Sequence, residues 1–179
     1  MTHEIILHFW FREITPSQWW IADPEFDRLI TERFAEIHAQ AVRCELFEWR
    51  RTPEGRLAEI IILDQFSRNI YRNSRLAFAN DTMALALAQE AVSSGADSAL
   101  TQEQRNFLYM PYMHSESRRI HETAVPLFLA NGLQNNHDFA LRHKAIIDRF
   151  GRYPHRNGML ERQSSPEEIA FLALPDSSF

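Results

Sequence analysis

The chain has 179 residues, a net charge of −5 and one cysteine, Cys44, and its length suits a single domain spanning residues 1–179. The acidic net charge argues against general nucleic-acid binding, and no window approaches the roughly 20 apolar residues that a membrane-spanning helix needs. A lone cysteine excludes an internal disulfide framework and favours a reducing, cytoplasmic location.

Helix signals follow one another along the first half of the chain. Asp23 before Pro24 predicts a helix start, and the apolar residues beyond it repeat at helical spacing. A second helix is predicted from Thr52 through "RLAEIIILDQFSRNIYR", and a third from Asn80 to Gly95.

The second half carries further helix signals. Thr101 and Gln104 form a capping box, and Pro111 is predicted to end or kink the helix that follows. Two more helices are predicted, in "SESRRIHETAVPLFLANG" and in "DFALRHKAIIDRF", the second stopping at Gly151. The segment "SPEE" then predicts the start of a last helix.

No stretch alternates apolar and polar residues as a half-buried strand does, although "IIIL" alone also suits a buried strand. The sequence therefore predicts an all-α domain of roughly seven or eight helices.

Asp64 breaks the simple division into core and surface. It follows "IIIL" on a helix that is apolar on nearly every side, so we expect its carboxylate to be at least partly buried. Arg68 and Arg72 lie one and two turns further on, and Gln65 has Asn69 at the same spacing, which predicts a continuous polar stripe. The simplest interpretation is a structural ion pair between Asp64 and Arg68, because a buried carboxylate must be paired.

Two other segments place histidines at unusual positions. His143 lies on the apolar face of its helix and should point inward, where a histidine is more often a hydrogen-bonded core residue than a ligand. The segment "HSE", His114 to Glu116, follows Pro111 and is predicted at a helix beginning, where backbone amides favour an anion. The alternative is plain helix capping by Ser115.

The segment "FGRYPHRN" concentrates planar donors in one irregular stretch. Residues 142–163 hold six basic and two acidic residues, and Arg152, His155, Arg156 and Asn157 fan out from its central turn. Turn chemistry requires only the glycine, proline and asparagine, so the basic side chains are surplus to it. The arginine fork suits carboxylate and phosphate, which predicts half of an anion pocket; a basic surface turn is the alternative.

The common catalytic and cofactor motifs are absent from the sequence, and we predict neither a cofactor nor a metal. A metal site of Asp64, His114, Glu116 and His143 is compatible with the ligand types, but nothing in their spacing singles it out.

Five segments of the sequence, one of them short, together resemble a known protein family. They are "LDQFSRNIYR", "AFANDTMALALA", "RNFLYMPYMHSE" and "RFGRYPHRNGMLER", with "SPEE" after them. In this order they resemble the bacterial family of domains of unknown function number 924. The resemblance implies a tetratricopeptide-like right-handed stack of antiparallel helix pairs around a groove, and it implies no established activity.

The resemblance also implies which positions belong to the family signature. The matching positions are Asp64, Gln65, Phe66, Arg68, Asn69, His114, Ser115, Glu116, His143, Gly151, Arg152 and Pro154 to Asn157. The family pattern has glycine where Glu161 stands and usually glutamine where His121 stands, and His121 is left out of the predicted site.

We favour a pocket that binds a small anionic molecule, a carboxylate or a phosphate, with hydrolysis of an anionic ester as the most plausible chemistry. The predicted catalytic residues are His114, Glu116 and His155, and the predicted ligand-binding residues are Asp64, Arg68, Asn69, His143, Arg152, Arg156 and Asn157. One alternative is a helical adaptor that binds an acidic peptide in a groove. Another is that the same polar residues form a buried network that only fixes helix packing.

Overall fold

The computed structural model describes residues 1–175 and 177 as helices joined by short turns. The α-helices are α1 (His3–His8), α2 (Pro24–Val42), α3 (Pro53–Ile61), α4 (Ser67–Ile70), α5 (Asp81–Ser93), α6 (Gln102–His114), α7 (Arg118–Asn131), α8 (Gln134–Phe150) and α9 (Pro166–Leu172). No strand occurs in the described part of the chain, so the all-α prediction is confirmed and the "IIIL" segment is helical.

Two π-helical turns interrupt this pattern. Phe9–Glu13 extends α1, and Ile62–Phe66 joins α3 to α4 into one rod, which leaves eight separate α-helical rods among the described residues. Short 3-10 turns lie at Pro16–Trp19, Phe47–Arg51, Arg75–Phe78, Ala96–Ala99 and Pro154–Arg156. A π-helical turn closes its hydrogen bonds over five residues and thereby changes the direction of the side chains on it.

Three predicted helix starts, at Asp23, Thr101 and "SPEE", are confirmed, and a capping side chain accepts a backbone hydrogen bond at each. The Asp23 carboxylate accepts from the amide of Glu25 at 2.9 Å. Thr101 and Gln104 form the expected capping box at the start of α6. Ser165 and Glu168 form the same motif at the start of α9. Each cap satisfies amides that have no partner inside the helix.

Pro111 lies inside α6 and does not end it. The helix continues to His114, and α7 begins at Arg118 with Ser117 as its N-cap. The residues around Pro111 in α6 are almost fully buried, and their packing outweighs the hydrogen bond that proline removes. The prediction that "HSE" begins a helix is therefore wrong: it connects the end of α6 to the start of α7.

Aromatic side chains fill the centre of the core. The rings of Phe9 and Phe34 lie 4.7 Å apart, those of Phe34 and Phe66 5.0 Å apart, and those of Trp10 and Phe107 5.6 Å apart. These five side chains are fully buried. They pack where the α3–α4 rod contacts α1, α2 and α6. Consecutive helices α5 to α8 pack each on the next.

A small second cluster holds the turn that follows α8. Tyr153 packs with Ile146 and Ile147, and the rings of Phe150 and Phe171 meet at 5.0 Å. This cluster fixes the "FGRYPHRN" segment between α8 and α9.

Two residues near this turn adopt the left-handed backbone conformation. Gly151 ends α8 with φ of 71°, as its predicted role requires. Glu161 has φ of 55°, and this is the position at which the resembled family pattern has glycine. A residue with a Cβ is strained there, whereas glycine is not.

We expect Glu161→Gly to raise the free energy of unfolding by roughly 0.5–1 kcal/mol, because it relieves backbone strain at the cost of some chain entropy. The measurement is urea denaturation of the two proteins. Glu161→Ala is the matched control, since it removes the exposed side chain and keeps the strain. Equal stabilisation by both variants would assign the effect to the side chain and contradict the backbone explanation.

Candidate functional site

A buried carboxylate and a histidine meet where the π-helical turn of the α3–α4 rod faces the end of α6. Asp64 is only 1% exposed, and its Oδ1 lies 2.7 Å from Nδ1 of His114. An ionised carboxylate can only accept, so Nδ1 of His114 carries the hydrogen and Nε2 carries the lone pair. Nε2 makes no hydrogen bond with the described residues and is not sealed from solvent.

The charge states of this pair suit a general base. Burial raises the pKa of Asp64, but the charge of Arg68, together with hydrogen bonds from His114 and Gln65, outweighs burial and holds that pKa below its usual range. Burial lowers the pKa of His114, and Arg68 lowers it further against the opposing effect of Asp64. At neutral pH an ionised carboxylate therefore orients a neutral imidazole.

Two arginines share one carboxylate beside this pair. Arg68 donates to both oxygens of Asp81, at 2.9 and 3.0 Å, and its Nη1 also lies 3.2 Å from Oδ1 of Asp64. Nη1 of Arg156 reaches the same Asp81 at 3.3 Å. Asp64 and Asp81 thus link His114, Arg68 and Arg156 into one charged cluster.

Arg156 is the least compensated charge of the cluster. It is 6% exposed, and its guanidinium packs over the rings of Phe78 and Tyr153, 4.6 Å from each. Its Nε is buried without a hydrogen-bond partner among the described residues, and its Nη2 makes no such bond either. Burial and the charge of Arg68 lower the pKa of Arg156, with Asp81 opposing them.

Histidine rings surround Tyr153 beside Arg156. The ring of His155 lies 5.5 Å from that of Tyr153, and its Nδ1 is buried without a partner among the described residues. Burial, helped by the charge of Arg156, lowers the pKa of His155 to about 4. The ring of His143 lies 5.6 Å from Tyr153, and burial lowers its pKa to about 3. His143 points inward as predicted and contacts the Phe139 carbonyl at 2.8 Å.

Glu116 holds the irregular turn in place. Its carboxylate accepts from both terminal nitrogens of Arg162, at 2.6 and 2.9 Å, and from the backbone amide of Tyr153 at 2.7 Å. Burial raises its pKa, but these donors lower it more strongly. Glu116, a predicted catalytic residue, is thus ionised and fully engaged in positioning Tyr153.

The predicted polar stripe divides into two networks. Gln65 bonds Asp64 rather than Asn69, while Asn69 donates to Asp27 of α2 at 2.8 Å, where Arg72 also binds. The π-helical turn separates the two sets, because it alters the angular spacing that the sequence argument took from a regular α-helix.

Two more predicted ligand-binding residues bond to the last helix. Arg152 donates to both oxygens of Glu168, at 2.6 and 2.8 Å, and the Arg152 fork holds the pKa of Glu168 down to about 2. Asn157 donates to Ser164 at 3.0 Å and also reaches Glu168. These contacts fasten α9 to the turn, whereas Arg156 bonds Asp81 and thereby joins the cluster that contains His114.

Sequence reasoning missed Asp81, Phe78 and Tyr153 as members of the cluster. Asp81 and Phe78 belong to the segment "AFANDTMALALA". In the sequence, however, the helix start predicted there already accounts for the acidic residue. Its bond to Arg156 spans 75 positions of sequence, so no local pattern signals it. His121, left out of the predicted site, is fully buried and donates from Nε2 to the Ser115 carbonyl at 2.8 Å.

Two properties of the described residues bear on the class of protein. None of their helices is long and apolar enough to span a bilayer. No three or more of their histidine, cysteine and acidic side chains are grouped as metal ligands would be.

These features define an all-helical protein with a charged cluster of Asp64, Arg68, Asp81, His114 and Arg156. Residues 6–176 match the family described as "Bacterial protein of unknown function (DUF924)", and the chain belongs to that family. A solved structure of a protein of unknown function from Agrobacterium tumefaciens is 36% identical, with 96% of each chain covered and a TM-score of 0.91. No curated protein matches the chain.

The lowered pKa of His155 predicts a specific pH dependence of stability. Above pH 6.5 this ring is neutral in both states; between pH 6.5 and about 4 only the unfolded chain binds the proton, so stability falls as the pH falls. One such group contributes a slope of up to about 1.4 kcal/mol per pH unit.

His155→Gln should therefore make the loss of stability between pH 6.5 and 4.5 shallower. Urea denaturation at several pH values measures the slope, and the comparison at pH 8, where the proton plays no part, isolates the packing change. An unchanged slope would show that His155 titrates normally in the folded protein.

Proposed function

We propose that the protein binds a small anion at Arg156 and hydrolyses an ester that carries such an anionic group, with His114 as general base. The observation that carries the proposal is the buried guanidinium of Arg156, whose Nε and Nη2 lack partners among the described residues. It belongs to the same charged cluster as His114, the imidazole that Asp64 orients.

The electrostatics of Arg156 favour an anionic ligand. A buried charge without full hydrogen bonding is destabilised by several kcal/mol relative to a paired one. Its acceptor, Asp81, is already held by both terminal nitrogens of Arg68 and lies 3.3 Å from Arg156. A ligand oxygen on Nη2 supplies a hydrogen bond that the fold leaves unmade, and its negative charge lies next to the guanidinium.

The proposed reaction uses water as the nucleophile. Nε2 of His114 takes a proton from water as its oxygen bonds to the carbonyl carbon or phosphorus of the ester. The bond to the leaving oxygen then breaks, and protonated His114 returns the proton to it. Asp64 stabilises the transient imidazolium, and Arg156 holds the anionic group.

The remaining predicted residues receive positioning roles in this proposal. Arg68 anchors Asp81 and depresses the pKa of His114, which keeps the base free of its proton at neutral pH. Glu116 fixes the backbone of Tyr153, and His155 borders Arg156 with a neutral ring.

The alternative is an adaptor with a tetratricopeptide-like stack. The sequential packing of α5 to α8 supports such a stack, and the side chain of Trp20, 57% exposed, offers a contact for a peptide. We rank the adaptor second because the guanidinium of Arg156 packs between Phe78 and Tyr153, in the same cluster as the candidate base His114. A buried arrangement of this kind suits a small ligand better than a peptide.

Anion binding should appear as a thermal shift that depends on Arg156. A ligand at 100 times its dissociation constant adds about 2.7 kcal/mol, or several degrees in Tm for a chain of this size. The assay compares sulfate, phosphate, phosphometabolites, dicarboxylates and an acidic peptide on the wild type and on Arg156→Gln.

Arg28→Gln is the control, because it makes the same charge change on the exposed side of α2. We expect the shift to survive in the control and to vanish in a still-folded Arg156→Gln protein. A shift with the acidic peptide alone would favour the adaptor. An absence of any shift, with early melting of Arg156→Gln, would make the cluster a packing network.

Hydrolysis should depend on His114 more strongly than binding does. With nitrophenyl esters that carry a carboxylate or a phosphate, we expect His114→Gln to lower kcat by about 10²- to 10⁴-fold, because a general base contributes that much. His137→Gln, on α8, is the matched control. Equal turnover in the two variants would remove His114 from the chemistry while leaving the binding proposal intact.

A further inference from the structure

We infer that the anion accepted at Arg156 carries a single negative charge, as a carboxylate does, and that dianions such as a phosphate monoester are disfavoured. This inference rests on the proposed anion-binding function and names the chemical class of its ligand.

The charges around Arg156 are already balanced. The cations are Arg68, Arg156 and Arg162, and the carboxylates are Asp64, Asp81 and Glu116. Arg162 is committed to Glu116, and Arg68 faces both Asp64 and Asp81. The cluster is therefore neutral as a whole, so each negative charge on a ligand makes its net charge more negative, and a dianion does so twice as strongly as a monoanion.

The same carboxylates act on Arg156 itself. Burial and Arg68 lower the pKa of Arg156, while the negative charges of Asp81 and Glu116 oppose that shift, so both lie within electrostatic range of the guanidinium. A ligand on Arg156 experiences this repulsion too. Two unit charges about 6 Å apart repel by roughly 3 kcal/mol at an effective dielectric constant of 20, and a dianion doubles that repulsion.

The aromatic rings beside Arg156 also favour a carboxylate over a phosphate. The guanidinium packs over Phe78 and Tyr153 and its Nε is buried, so a ligand approaches Nη2 in the plane of the guanidinium rather than from its faces. A planar carboxylate can keep both of its oxygens in that plane. A phosphate places further oxygens out of that plane, towards ring faces that carry partial negative charge.

A matched pair of ligands separates charge from size. Succinate is a dianion at pH 7.5, and succinamate, its monoamide, is a monoanion of nearly the same length without an ester bond. Isothermal titration of the wild type with each, and with methyl phosphate, should show succinamate binding at least about tenfold more tightly than either dianion.

Asp81→Asn tests the cause of this preference. With one carboxylate removed, the affinity for succinate and methyl phosphate should rise by a larger factor than the affinity for succinamate. Asp138→Asn, the same change on the exposed side of α8, should leave the ratio as it is in the wild type. Circular dichroism tests whether both variants are folded. If Asp81→Asn is unfolded, the comparison of ligands on the wild type still decides the preference.

The outcomes are distinct. Tighter binding of the monoanion, dependent on Arg156, supports the inference. Tighter binding of succinate or methyl phosphate overturns it and leaves the anion site standing. No binding of any of the three overturns this inference and the proposed anion site together.

Discussion

The burial of the Asp64 carboxylate is the constraint on which the rest of this cluster depends. A charge that is 1% exposed in the middle of an apolar rod is tolerated only when donors surround it. His114 and Arg68 are those donors, and each brings another element with it: His114 fixes the end of α6, and Arg68 reaches Asp81 at the start of α5. One buried charge thus ties three helices together.

The series of alternating positive and negative side chains that begins at Asp64 continues into the turn after α8. Arg156 continues the series from Asp81, and the separate pair of Glu116 and Arg162 fixes the backbone of Tyr153 from the other side. These ion pairs hold the turn in place, yet the donors of Arg156 are only partly used. This incomplete hydrogen bonding is the observation on which the proposed anion site rests.

Local and tertiary interactions differ in how far the sequence predicts them. Helix starts at Asp23, Thr101 and "SPEE" were predictable because a capping side chain and its amide are separated by two or three residues. Pro111 was misleading because its local penalty competes with the burial of the whole surrounding turn. The segment "HSE" therefore lies at the end of one helix instead of the beginning of the next, and the anion site predicted from its amides has no basis in the fold.

The sequence by itself determined the all-α class, the burial of Asp64 with Arg68 as its partner, and the inward direction of His143, because each follows from residues within two helical turns of one another. Only the tertiary structure decided that Arg152 and Asn157 bind Glu168, while Arg156 meets Asp81 instead. Several arginines within one short turn are chemically equivalent in sequence. Which carboxylate each one meets depends on how distant helices pack, and that packing is decided by the shape of the aromatic core.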